Sequence, residues 1–242
     1  MLKVEPLASR APIALARLRE HRVLGAAPDS ELQTLLQRAQ VVRVPERETL
    51  FRRGDSGRAF AVILTGFVKL SSVEAGGREV VLEICGPGSL FGELACLNGW
   101  PRAADAVALA DSELLSVPGE ALRNALLRSP EAMFALVGVL SRRLRHATEQ
   151  LRDAASLPGP ARLAKALVQL AAAHGKPGGS GLQIEFSLSQ RELGGMTGLS
   201  RETINKQLAH WRDSGWIELG PGHLCLLAAE ALRTLVEEAS AA

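Results

Sequence analysis

Residues 90–106, Leu-Phe-Gly-Glu-Leu-Ala-Cys-Leu-Asn-Gly-Trp-Pro-Arg-Ala-Ala-Asp-Ala, hold a glycine, a glutamate and an arginine at a spacing that suits a small phosphate. Gly92 has no Cβ, so the backbone there can approach a ligand closely. Consecutive backbone N–H groups in a short turn or helix start attract anions. Arg102 carries a planar fork that matches phosphate oxygens. Glu93 accepts hydrogen bonds from a hydroxyl such as a ribose 2′-OH, but it repels phosphate. The set asks for one ligand bearing both a hydroxyl and a phosphate, which describes a cyclic nucleotide. The simpler alternative is a surface ion pair between Glu93 and Arg102.

The elements around this stretch follow from periodicity and turn chemistry. Residues 1–27 are poorly patterned, with a short helix over Ile13–Leu24 and no function assigned. Pro28-Asp29-Ser30 opens a helix with Leu32, Leu35, Leu36 and Ala39 on one face. From Val41 to Val117 the pattern becomes β-rich. Runs at Val41–Val44, Thr49–Phe51, Phe60–Leu64, Phe67–Val73, Val80–Cys85, Ala103–Leu109 and Glu113–Val117 are separated by Gly, Pro and Asp turn signals. Many short strands imply an antiparallel sandwich or barrel. Pro118-Gly119-Glu120 starts a short helix through Leu127. A long helix is predicted over 131–155, where Met133, Val137, Leu140, Leu144, Ala147, Leu151 and Ala154 alternate spacings of four and three. That is an a/d seam, expected to join two copies of the chain, with packing against its own domain as the alternative. Leu157-Pro158-Gly159-Pro160 ends the helix and reads as a stiff hinge between domains. A further helix follows over 161–173, and residues 174–181 read as a loop.

A second constellation lies in residues 187–226. Ser189-Gln190-Arg191-Glu192 is a capping box, and Ser200 caps a second helix that runs to about Asp213. At 100° per residue Ile204, Leu208 and Trp211 share one side of that helix, facing Leu193, Met196 and Leu199. Arg201, Glu202, Asn205 and Lys206 fall on another arc. Trp216–Leu219 and His223–Leu226, joined through Gly220-Pro221-Gly222, form a hairpin wing. The whole reads as a winged helix-turn-helix with an outward recognition helix. Arg201 can bond guanine O6 and N7 bidentately and Glu202 can accept from cytosine N4, each good pair being worth roughly 1–3 kcal/mol of discrimination. Ser189, Thr203 and Lys206 can hold phosphates. A solvated face with a Glu202–Lys206 i,i+4 pair is the plainer reading.

Phe91-Gly92-Glu93-Leu94 followed by Pro101-Arg102-Ala103-Ala104 resembles the phosphate-binding cassette of cyclic-nucleotide-binding domains. Gly-Leu-Ser-Arg-Glu-Thr-Ile at 198–204 closely resembles the recognition helix of the cAMP receptor protein and fumarate–nitrate regulator (CRP/FNR) family. Together the resemblance spans about 28–235. It implies an α+β chain: an N-terminal extension (1–27), an antiparallel β-roll or jelly-roll cyclic-nucleotide-binding domain (28–129), a dimerisation helix (130–157) and a C-terminal winged helix-turn-helix (158–242). It implies a ligand set of Gly92, Glu93, Leu94, Arg102, Ala103, Arg143 and Thr148, with Ala147 beside them. It implies DNA contacts from Ser189, Gln190, Ser200, Arg201, Glu202, Thr203, Asn205 and Lys206. The expected partners are a palindromic promoter site in duplex DNA, a second copy through 131–155, and RNA polymerase. Three departures bear on the ligand and the bases. Ala147 replaces a hydroxyl carried by adenine-reading members, Ala103 replaces a hydroxyl of some bacterial relatives, and Lys206 stands where arginine is frequent. Glu83 on the preceding strand is a candidate partner for guanine N1–H and N2–H₂. cAMP ranks first, cGMP second and a cyclic dinucleotide third, with a ligand-independent regulator as the remaining alternative.

Composition narrows the classes. Hydrophobic residues at 47% of 242 can build a sizeable core, and a net charge of +2 requires any DNA-binding surface to be local. Cys85, Cys96 and Cys225 form no CxxC pair, which argues against disulfides and an iron–sulfur sensor and points to a reducing cytoplasm. No histidine falls within 41–127, which argues against haem. His21, His146, His174, His210 and His223 are scattered and read as surface residues. No P-loop, nucleophile elbow or metal pattern suggests an enzyme, and no cofactor is expected. No signal peptide is visible. No apolar run approaches the ~20 residues that span a bilayer, so no membrane partner is expected.

Overall fold

The computed structural model describes residues 3–5, 7, 10–179, 181–220 and 222–241. It divides into two compact units, Met1–Ser72 with Glu83–Arg145, and Val73–Leu82 with His146–Ala242.

The first unit begins with β1 (Lys3–Glu5), α1 (Ala11–Glu20) and α2 (Asp29–Gln37). Strands β2 (Gln40–Val44), β3 (Thr49–Phe51), β4 (Ala59–Thr65), β5 (Val68–Val73), β6 (Glu79–Cys85) and β7 (Leu90–Phe91) follow. After α3 (Glu93–Asn98) come β8 (Asp105–Ala108), β9 (Ser112–Pro118), α4 (Gly119–Arg128) and α5 (Pro130–Ser156), whose residues from His146 on belong to the second unit, as do the first residues of β6 up to Leu82. Every β-rich run expected from the sequence is a strand. β1 and the two-residue β7 are additions, too short to show a period of two. Two sheets form, in the orders β1-β2-β9-β4-β7 and β3-β8-β5-β6. Strand β2 pairs with β9, β3 with β8 and β4 with β7, while β5 neighbours β6. These nested pairs are the winding of a jelly roll.

The sandwich interior holds Val44, Ile63, Phe91 and Leu114 from one sheet and Val68, Cys85, Ala106 and Ala108 from the other. The outer face of the five-stranded sheet is covered as well. Phe60, Val62, Leu64, Leu115 and Val117 bury against Leu18, Leu32, Leu35, Leu122 and Leu136. Burial on both faces explains why β4 reads as a nearly continuous apolar run rather than an alternating one. The N-terminal segment, given no role from sequence, is part of this second core: Ala14, Leu18, Val23, Leu24 and Ala27 are all buried.

Helix α5 covers the predicted long helix and extends it by a residue at each end. Along it Ala132 and Leu136 are buried, whereas Met133, Val137, Leu144 and Leu151 of the heptad seam are exposed.

In the second unit α6 (Gly159–His174) starts immediately after Pro158, because proline fixes the backbone without needing a donor there. Arg162 ties this turn down, donating from Nη1 to the Leu157 carbonyl (2.8 Å) and from Nε to that of Thr197 (3.0 Å). The 174–181 stretch expected as a loop is in fact a hairpin. β10 (Gly175–Gly178) pairs with β11 (Gly181–Ile184), though Ser180 lies outside the described residues. Its Gly and Pro content concealed it. Strand β10 is at the sheet edge, where Pro177 need not donate inward. Helices α7 (Gln190–Thr197) and α8 (Arg201–Asp213) precede the wing strands β12 (Ile217–Gly220) and β13 (His223–Leu226), and α9 (Ala229–Ala241) ends the unit. Pro221 of the wing turn lies outside the described residues. The sheet order is β10-β11-β13-β12. No helix among the described residues is long and apolar enough to cross a membrane.

Candidate functional sites

The cassette begins where β7 ends. Gly92 is left-handed (φ +81°) and caps α3, whose far end closes on a second left-handed glycine, Gly99 (φ +67°). A Cβ on Gly92 would stand 2.5 Å from Arg102 Nη1, so the position demands glycine for both conformation and space. Six residues hold α3 between the two glycines, and the chain then returns to place Arg102.

Arg102 is anchored by backbone on both sides: its N–H donates to the Asp55 carbonyl (2.8 Å) and its own carbonyl accepts from Gly54 (2.9 Å). The guanidinium lies 4.1 Å over the Phe51 ring. Nη1 donates to the Gly92 carbonyl (2.8 Å) and Nη2 to the Ala59 carbonyl (2.6 Å). The Cys96 side chain also bonds the guanidinium, and the buried Nε–H has no partner among the described residues. Burial lowers the arginine's pKa, partly offset by the Cys96 thiol and Asp55. A held guanidinium with an unused donor suits an anion better than a surface ion pair does. No ion pair joins Arg102 to Glu93 among the bonds of the described residues.

Glu93 turns instead to α5. Its side chain is only 2% exposed, and its Oε1 accepts from Arg143 Nη1. The same guanidinium donates from Nη2 to the Leu90 carbonyl (3.0 Å) and pairs through Nε with Glu83 (3.2 Å). One cation therefore answers two carboxylates. Burial pulls the Arg143 pKa down, but Glu93 and then Glu83 outweigh it, and the net shift is upward. Gly92, Glu93, Arg102, Arg143 and Glu83 are thus drawn into one constellation. Leu94 and Ala103 lie exposed on the cassette. Ala147 and Thr148 are exposed on the part of α5 that belongs to the second unit.

Sequence reasoning missed three contributors. Phe51 and the Ala59 carbonyl hold Arg102, and no local pattern links them to it. His21, read as a surface residue, is half-buried. Its Nδ1 accepts from the Val23 and Leu24 N–H groups (3.2 and 3.3 Å). Burial, then repulsion from Arg143, lowers its pKa from 6.5 to about 4. His174 is likewise no free surface residue, since its ring meets Phe186 edge-on at 6.0 Å.

In the second unit Ser189 forms the capping box, accepting from the Glu192 N–H (3.2 Å) while Glu192 accepts from the Ser189 N–H (2.7 Å). Gly198 is left-handed (φ +74°), and Ser200 restarts the chain as the cap of α8, accepting from the Thr203 N–H (3.1 Å). Ile204, Leu208 and Trp211 are buried. Arg201, Glu202, Thr203, Asn205 and Lys206 are exposed, as are Ser189 and Ser200, with Gln190 half-buried. The wheel thus divides α8 as expected. Its outward arc carries cations and amides suited to base edges and phosphates.

Residues 41–129 match the cyclic nucleotide-binding domain family, and residues 161–235 match the Crp-like helix-turn-helix domain family. The chain is 36% identical over 190 residues to a CRP-like cAMP-activated global transcriptional regulator of Mycobacterium tuberculosis, covering 78% of this chain and 85% of that protein. It is 34% identical over 198 residues to the cyclic AMP receptor protein of Thermus thermophilus, covering 82% and 88%. The fold is that of FixK2 from Bradyrhizobium japonicum, with a TM-score of 0.73 at 20% identity over 81% of this chain and 96% of that one. A jelly roll bearing this cassette, followed by this helix-turn-helix, places the chain in the CRP/FNR family of DNA-binding transcription regulators, which are not enzymes.

Proposed function

We propose that the chain is a homodimeric transcription regulator controlled by cAMP bound in the jelly roll. The observation that carries this is Arg102, stacked on Phe51 and held by two backbone carbonyls with its Nε–H donor unspent. A cyclic phosphate accepts from that guanidinium, and a ribose hydroxyl donates to Glu93. Arg143 balances the charge that the phosphate adds beside Glu93. The cAMP-activated M. tuberculosis relative and the T. thermophilus receptor protein support adenine as the base. cGMP is the second reading, favoured by one observation. Glu83 reaches Arg143 and is a carboxylate of the kind that accepts guanine N1–H and N2–H₂.

Dimerisation is supported by the heptad seam. Leu144 and Leu151 are 70% and 74% exposed on one chain, with Val137 exposed at the same heptad position and Met133 at the other position of the seam. Apolar residues at this period bury against a second copy. Arg143 stands on the same helix and holds Glu93, so a ligand that engages Glu93 acts directly on α5. A ligand that binds one arrangement of the dimer better shifts the protein toward it. The reading places the change of orientation at Pro158–Pro160, and it extends to RNA polymerase as the partner at the promoter.

Isothermal titration with cAMP, cGMP and a cyclic dinucleotide in parallel tests the effector. Arg102→Ala should abolish binding of whichever one binds. Unchanged affinity in that variant would remove the cassette from the function. Glu83→Gln should weaken cGMP and leave cAMP unaffected.

A further inference from the structure

Arg201 does not stand alone on the face of α8. Its Nε donates to Gln190 Oε1 (2.6 Å), and Gln190 Nε2 donates in turn to Asn205 Oδ1. Arg201 and Asn205 are i,i+4 neighbours on the recognition helix, while Gln190 is the first residue of α7. One amide therefore bridges two side chains of the reading helix from outside it.

The atoms used decide what is left. An arginine can present two edges to a flat acceptor pair, the side edge of Nε with one Nη, or the end edge of both Nη groups. Gln190 occupies Nε and so leaves the end edge, the fork that matches guanine O6 and N7. Gln190 is itself placed by the Ser189 capping box, and its backbone sits in the first turn of α7, so the anchor stands on a fixed element. The link to Asn205 fixes which way the Gln190 amide faces, with oxygen toward Arg201 and nitrogen toward Asn205. Anchoring also removes rotamer freedom that the long Arg201 side chain would otherwise lose on binding.

We propose that Gln190 is a positioning residue for base recognition: it holds Arg201 end-on, with Asn205 orienting it, and so sets specificity at the base pair that Arg201 reads without touching that base. This rests on the DNA-reading role of Arg201 given above. Deleting the anchor should lower discrimination at one base position and leave the rest of the site alone.

The test uses the full-length protein. Duplexes are selected from a randomised pool without effector, with cAMP and with cGMP. The winning sequence and its single-base-pair variants are then titrated by fluorescence anisotropy. Arg201→Ala identifies the guanine it reads as the position where preference collapses, a loss of roughly 5–150-fold for one bidentate pair. Gln190→Leu should reduce preference at that same position by at least about 5-fold, and the double variant should lose no more than Arg201→Ala alone. Gln190→Glu keeps an acceptor for Arg201 Nε. It should retain the preference there even as its charge weakens binding to every sequence equally. Three results would overturn the proposal. Gln190→Leu could weaken all duplexes uniformly, which is the mark of a phosphate contact. It could shift preference at a different base, which would mean Gln190 reads its own. Or it could change nothing. A pool yielding no enriched sequence under any of the three conditions would overturn the DNA-reading role itself and the proposal with it.

Discussion

Lowering the pH should loosen the first unit through His21, and His21→Asn should remove that effect. The side chain folds back onto its own backbone, with Nδ1 accepting from Val23 and Leu24. Protonating Nδ1 destroys both bonds and sets a cation beside Arg143. Burial first and Arg143 second bring its pKa from 6.5 to about 4. The unfolded chain therefore holds more protons than the folded one between those values. The stabilisation is complete above pH 6.5 and fades as the pH falls toward 4. The full shift is worth about 3 kcal/mol at ~1.36 kcal/mol per unit, of which about 2 kcal/mol is lost between pH 7 and pH 5. Asn keeps a short acceptor near the Nδ1 position but cannot take up the proton. Urea denaturation followed by circular dichroism at pH 7, 6 and 5 measures both proteins. Wild type should lose about 2 kcal/mol more than His21→Asn over that range. Equal pH dependence in the two would refute the assignment of His21 as a buried neutral acceptor.

Other outcomes follow from the same geometry. Gly92→Ala meets both a left-handed φ, worth roughly 1–2 kcal/mol, and the Arg102 guanidinium, so titration should show nucleotide binding lost in a protein that still folds. Replacing Arg143 by Ala leaves Glu93 buried without its cation and should cost about 3–5 kcal/mol in urea denaturation, whereas Arg143→Ala with Glu93→Gln should cost clearly less. Leu144→Asp with Leu151→Asp should halve the mass seen by light scattering to the 25.7 kDa of one chain without lowering the stability of either unit. Ile204→Ala opens a cavity under the recognition helix and should cost about 2–5 kcal/mol, weakening all duplexes alike rather than one base.

Much of the architecture was legible because its signals are local. Most of the nested strands of the jelly roll announce themselves as short β-rich runs bounded by turn residues, the two-residue β7 excepted. The seam of α5 repeats within one helix, and the capping box of α7 needs four consecutive residues. The 175–184 hairpin escaped because a glycine–proline edge strand has neither period nor β-branched residues. The N-terminal segment escaped because its burial depends on the outer face of a sheet formed much later in the chain.

The sequence alone determined which side chains are present and, through period, caps and glycines, the helix or turn that carries each. Gly92 left the backbone free to come close to a ligand, and Arg201 had to lie on the outward arc of α8. Only the tertiary structure decided how charges and donors are shared. Glu93 pairs with Arg143 from 50 residues away and not with Arg102 nine residues on, and Arg102 spends its donors on the Gly92 and Ala59 carbonyls. Arg201 is held by an amide from the preceding helix. These partners are chosen by the crossing of separate elements at the interior of the sheet and across the helix-turn-helix. Local propensity says where a residue's backbone goes. It does not say which of several compatible carboxylates, carbonyls or amides will stand within three ångströms of it when the core closes.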